Sequence, residues 1–182
     1  MHSSVDFEKV LELIAKNLRH NIRNADLFAI YFTEGNEAVL RASYGHPEWF
    51  IEKVSRIPYP RGLTWRIIIE GETVYVPDTA DDDSMGPSGK KMGIKSYISM
   101  PLTSEGKTTG CLTIAAMKTN AFSNEELYLL ESLTKQLETA LLNAKYIEEI
   151  KTNERRLQAL VAHDGREAGS TFSNIRTEYQ PR

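Results

Sequence analysis

The sequence holds few side chains that could do covalent chemistry, and they lie far apart. His163 is followed by Asp164 in the stretch Ala162-His163-Asp164-Gly165-Arg166-Glu167. A histidine with an acid beside it on a helix can accept a phosphoryl group, the acid helping to free the imidazole nitrogen for attack. Cys111 is the one cysteine, so no disulfide can form within the chain, which fits a reducing compartment. Asp78 closes a short strand-like segment. Its carboxylate could meet a ligand amine or ring N–H, or could cap the turn that follows. His46 follows a strand-like segment and precedes Pro47; it could be an axial haem ligand or an exposed turn residue. The four histidines are scattered, with no metal-ligand spacing.

Two further patterns suggest chemistry and do not carry it. Asp81-Asp82-Asp83 lacks the remaining oxygens and the glycine turn of a calcium loop, so we read it as a solvated charge run. Gly86-Pro87-Ser88-Gly89-Lys90-Lys91 falls short of a phosphate-binding loop. Ser84 stands where the first glycine belongs, and Lys91 stands where Ser or Thr is needed. With no nucleophile paired to a base, we expect no catalysis in this chain.

These residues need elements to position them. The chain is long enough for one domain with a core plus an extension. It is 41% apolar and 26% charged with a net charge of −3, so no basic excess points to nucleic acid and no Lys/Arg cluster to anionic lipid. Its longest apolar runs are far short of a membrane span. Acids interrupt the apolar pattern at the N-terminus, so that segment does not read as a signal peptide. We expect a cytoplasmic protein.

Val10, Leu11, Ile14, Leu18 and Ile22 recur at helical steps, with Ser3 or Ser4 as the expected N-cap. Residues 26–33 and 37–43 alternate as strands across Glu34-Gly35-Asn36, a hairpin. A short helix is expected through Val54. Another starts at Arg61-Gly62-Leu63-Thr64-Trp65 and stops near Gly71, before a short strand at residues 74–76. Residues 80–93 are rich in Gly, Pro, Ser and charge and read as a mobile loop, with one helical turn at residues 90–92. A second hairpin spans residues 96–103 and 108–117. Ser123 and Glu126 form a capping box for a helix with Leu127, Leu130, Leu133, Leu137 and Leu141 on one face. Beyond Ala144 the apolar set narrows to Ile147, Ile150, Leu157 and Val161, a heptad seam suited to a two-stranded coiled coil. After Gly165 the period is lost, and fraying is expected.

This order of elements resembles the GAF domain, a small-molecule-sensing fold of signalling proteins. The similarity spans roughly residues 5–145. It is carried by Arg61-Gly62-Leu63-Thr64, Gly71-Glu72-Thr73, Val76-Pro77-Asp78, Ser96 to Leu102, Gly110-Cys111-Leu112-Thr113-Ile114 and Phe122 to Leu127. The resemblance implies an α+β fold of GAF (profilin-like) type: a twisted antiparallel sheet flanked by helices, with a long C-terminal signalling helix. The terminal helices would pack on one face, where dimers form, and a ligand pocket would lie on the other. By position the pocket would draw on Trp65, Val76, Asp78, Met85, Met92, Ser96, Tyr97, Ser99 and Cys111. We expect Tyr97 on the opposite sheet face from Ser96 and Ser99 unless the strand is bulged.

Departures from relatives narrow the ligand. Met117-Lys118 replaces the Asn-Lys of cyclic-nucleotide-binding members, and Phe122 follows at a different spacing. Bilin-binding members attach pigment through a Cys beside a His, which Cys111 lacks, so bilin is not expected. A turn histidine beside proline, as His46 is, is usually exposed, so haem is not expected either and the cofactor is left open. The methionine-sulfoxide-reducing members use several cysteines, which a lone Cys111 cannot supply. The stretch around His163 is similar to a histidine-kinase phosphoacceptor box, without its expected apolar residue and proline. Residues 156–161 look like the lead-in to a PAS domain.

The sequence is therefore read as a sensor domain (residues 1–145), a coiled-coil linker (146–162) and a frayed tail or the start of an output domain (163–182). It would dimerise through its terminal helices and feed an output or kinase domain, with no nucleic acid and no membrane involved. The alternatives are a ligand-free dimerisation and relay module, its pocket filled by Trp65 and Met side chains, and a histidine-kinase fragment with His163 as phosphoacceptor.

Overall fold

The computed structural model describes residues 5–176, with side chains described from Lys9 to Leu160 except Lys145 and Glu148. The elements are α1 (Val5–Asn21), β1 (Leu27–Glu34), β2 (Glu37–Tyr44), α2 (Glu48–Val54), β3 (Arg56–Pro58) and α3 (Gly62–Glu70). After them come β4 (Val74–Val76), α4 (Pro87–Met92), β5 (Ser96–Ser104), β6 (Lys107–Ala116) and α5 (Asn124–Arg176). Among the described residues six strands form one sheet in the order β3-β2-β1-β6-β5-β4. Every neighbouring pair is antiparallel. The α+β architecture, the sheet and the long last helix are as the sequence led us to expect. The described residues divide into two compact units between Leu142 and Asn143.

Strand alternation gives the sheet two different faces. On one, Phe28, Ile30, Ile98, Met100, Leu112 and Ile114 pack with Leu11, Leu18 and Ile22 from α1 and its end, and with Leu130 and Leu137 from α5. Leu127, Leu133 and Leu141 join this cluster from its margin, so the leucine face foreseen for the last helix is its packed face as far as Leu141. The N-terminus of α5 is held by the foreseen capping box. The Glu126 N–H donates to Ser123 Oγ at 3.2 Å, and the Ser123 N–H donates to Glu126 Oε2 at 3.0 Å. The proposed N-cap of α1, Ser3 or Ser4, lies outside the described residues.

On the other face Leu27, Ala29, Tyr31, Tyr97, Cys111 and Ala115 look toward the crossing segments, and α3 covers part of them with Trp65, Ile67 and Ile68. Two glycines shape this side. Gly71 ends α3 in the left-handed conformation, φ +67°, which spares a side chain the strain of that region. Gly45, φ +77°, follows β2 so closely packed on β1 that a Cβ would sit 2.2 Å from the Asp26 carbonyl oxygen.

In residues 143–176 the backbone of α5 stays helical past Gly165 and on to Arg176, where the lost apolar period led us to expect fraying. Ile147, Ile150 and Leu157 of this stretch are exposed. No described helix is long and apolar enough to cross a membrane.

Candidate ligand cavity and loop latch

Between the second sheet face and the crossing segments lies a cavity of about 450 Å³, within the range of small-molecule sites. Its floor is small: Ala29, Thr113 and Ala115 of β1 and β6, beside Leu27, Tyr31 and Tyr97. Its walls come from His46, from Phe50, Lys53 and Val54 of α2, from Arg56 to Pro58, from Arg61 to Thr64, and from Met85 to Gly89. Small floor residues opposite separate helical walls leave a space that no side chain fills.

Of the nine residues expected at the pocket, Met85 and Tyr97 line it. The others are placed around it. Trp65 is 5% exposed in the cluster under α3, its indole N–H donating to the Ile57 carbonyl at 2.8 Å and its ring edge-on to Tyr59. Val76 and Met92 pack at the margin of the Tyr97 cluster. Asp78 is exposed and accepts the Ala80 N–H at 3.0 Å, the second of the two roles open to its carboxylate, capping the turn that follows. Cys111 is fully buried below α3, and burial pushes its thiol up to about 12, against hydrogen bonds with Thr113 and Thr64.

The expected faces of β5 need correcting. Tyr97 and Ser99 are two residues apart and share the cavity side, and Ser99 Oγ lies 2.7 Å from Thr113 Oγ1 of the floor. Ser96, three residues from Ser99, is on the opposite side, fully buried, its hydroxyl donating to the Lys118 carbonyl at 2.8 Å. Only an even separation keeps two strand residues on one face.

Residues 80–86 are more ordered than a solvated charge run. The fully buried Tyr97 sends its hydroxyl out to Asp82 Oδ2 at 2.8 Å. Ser84 gives Asp82 Oδ1 both its backbone N–H at 2.9 Å and its hydroxyl at 2.6 Å, and the Ser84 and Tyr97 hydroxyl oxygens are 2.6 Å apart. Burial works against the Asp82 carboxylate, but these hydrogen bonds outweigh it and hold its pKa below the ordinary value. Burial raises the Tyr97 phenol to about 12, so it stays a donor at neutral pH. The trio fastens the loop bearing Met85 to the cavity floor. A tyrosine buried near the start of an apolar strand needs a partner for its hydroxyl, and that requirement was the available signal for Asp82.

His46, expected as an axial haem ligand or an exposed turn residue, lines the cavity. It is half-buried and stacks on Phe50 with ring centroids 4.7 Å apart. Its Nδ1 is buried with no hydrogen-bond partner among the described residues. Burial lowers its pKa below 6.5, opposed by a weaker backbone contact with Tyr44. Phe50 and Val54, four residues apart on α2, carried the sequence signal for this wall. The side chain of His163 lies outside those the structure describes.

The profile of the GAF domain family matches residues 4–142. The chain belongs to that family. No curated protein sequence matches it. Among solved structures, it is similar to the GAF domain of a two-component sensor histidine kinase from Bacillus halodurans. That match has a TM-score of 0.65 and 21% identity, over 80% of this chain and 99% of that one. It is also similar to type II free methionine-R-sulfoxide reductase from Thermoplasma acidophilum (TM-score 0.64, 19% identity, 74% and 90% of the two chains). A third similarity is to fRMsr of Staphylococcus aureus in complex with substrate (TM-score 0.59, 23% identity, 77% and 95%). At these identities the likeness shows the fold. It also corrects our expectation of a non-catalytic chain: enzymes share this fold, and the fold gives no ground for excluding catalysis.

Proposed function

We propose that this GAF domain is the small-molecule-sensing input of a cytoplasmic signal-transduction protein, relaying ligand state through a dimeric C-terminal helix to an output or kinase domain. The observation that carries the reading is the cavity, roofed by a loop that the Tyr97–Asp82–Ser84 trio ties to its floor. A ligand touching Met85 and Tyr97 changes the conditions under which that tie holds, and it biases output only as far as it binds the two loop arrangements differently. The exposed Ile147, Ile150 and Leu157 supply an apolar seam for a second copy of the helix.

The experiment is a fragment screen by thermal shift on the wild type and on Ala29→Leu, which puts a larger side chain on the cavity floor. Compounds that stabilise the wild type and lose their effect on the variant support the reading. A screen with no stabilising compound, or with shifts equal in both proteins, contradicts it. Dimerisation is read by native mass spectrometry, where Ile150→Glu lowers the dimer fraction.

A further inference from the structure

The polar groups of the cavity are unbalanced in sign. Its lining includes Lys53, Arg56, Arg61 and His46, and no aspartate or glutamate. The cations are not equivalent. Arg56 is already engaged, its Nη1 2.8 Å from Glu37 Oε2 and its Nη2 3.9 Å from Glu34 Oε2. Lys53 and Arg61 make no ion pair with any described residue. Both are exposed, so they stand at the opening and leave the interior to apolar groups such as Ala29, Phe50, Leu63 and Met85. A cation beside a partly desolvated apolar site attracts an anion more strongly than one in open water. Arg61 adds a planar fork of donors suited to a carboxylate or phosphate.

We propose that the cavity selects organic anions: an apolar or aromatic body seated between Ala29 and Met85, with one carboxylate or phosphate group held at the opening by Arg61 and Lys53. This rests on the ligand-binding reading above and adds the chemical class. A neutral or cationic ligand of the same shape gains nothing from these side chains and costs them part of their hydration.

The test uses three fluorescent probes with one aromatic body: 2-naphthoate, its neutral counterpart 2-naphthamide, and 2-naphthyl phosphate. Each is titrated into the wild type, Arg61→Gln, Lys53→Gln and Arg56→Gln. At least one anion is expected to bind the wild type tenfold or more tightly than the amide does, and the tighter of the two anions identifies the preferred head group. Arg61→Gln abolishes most of that preference while the amide still binds at least as tightly as it binds the wild type, which also shows that the variant is folded. Lys53→Gln reduces the preference less, and Arg56→Gln hardly at all. If the amide binds as tightly as both anions, or if Arg61→Gln weakens amide and anions alike, anion selection is overturned while ligand binding stands. If no probe binds at millimolar concentration, the ligand-binding reading is overturned and this inference with it.

Discussion

The two faces of the sheet are made from alternate residues of the same strands, and they are built for different ends. Toward α1 and α5 the strands present Phe28, Ile30, Met100, Leu112 and Ile114, and the leucines of α5 pack over them. Toward the crossing segments they present Ala29, Ser99, Thr113 and Ala115 between Tyr31 and Tyr97, and the space left over is the cavity. Side-chain volume at every second position therefore decides which face is a core and which is a site. Buried hydroxyls occur on both sides but are used differently: Ser96 and Thr134 on the packed side donate to backbone carbonyls, whereas the latch trio and the Ser99–Thr113 pair on the cavity side bond side chain to side chain.

The contrast breaks most visibly under truncation. Leu137, fully buried on the packed face, should lose about 2–5 kcal/mol on Leu137→Ala, because its neighbours cannot collapse into the gap. Leu63→Ala on the cavity wall enlarges a space that already exists and should cost about 1 kcal/mol. Denaturant titration of both variants checks this, and equal losses would remove the distinction between the faces.

The latch comes next. Tyr97→Phe keeps the ring and deletes the donor to Asp82, and should cost about 1–3 kcal/mol. Amide exchange in residues 80–86 should speed up, while exchange in α5 before Leu142 stays slow. Uniform acceleration would mean that the trio holds no loop in particular.

The smallest effect is one of pH. The folded pKa of His46 is lowered from 6.5, so the unfolded chain binds the proton more readily. Its contribution to stability is present above 6.5 and is lost as pH falls through the folded value. The wild type should lose stability between pH 7 and 5 more steeply than His46→Phe. Asp82 has the same sign and acts at lower pH, below its ordinary value of 3.8.

Much of the fold was legible in the residues, for local reasons. The turn at Gly35, the stop at Gly71 and the capping box at Ser123 and Glu126 each satisfy a backbone need that only certain residues meet. Strand β3 was missed because Arg56-Ile57-Pro58 sets one apolar residue between an arginine and a proline, whereas the equally short β4 is Val74-Tyr75-Val76, all strand formers. Helix α4 begins at Pro87, earlier than the expected turn at residues 90–92, since proline suits a first helical turn as well as a loop.

The site was legible only in part. Met85 and Tyr97 were foreseen at the cavity. The wall from His46, Phe50, Lys53 and Arg61 was not, because those residues belong to a turn and two separate short helices and converge only once α2 and α3 fold over the sheet. Asp82 was hidden in an acidic run whose members look alike in sequence. Only Asp82 among them meets the Tyr97 hydroxyl.

The most direct test of the account compares one methionine from each face. Met85 lines the cavity, and Met100 is packed beneath α5, within reach of the Thr134 hydroxyl. With methyl-labelled methionine, titration with 2-naphthamide should shift the Met85 resonance and leave that of Met100 in place. A shift at Met100 with Met85 unmoved, or no shift at either at millimolar probe, would contradict the claim that the cavity face is where this domain binds its ligand.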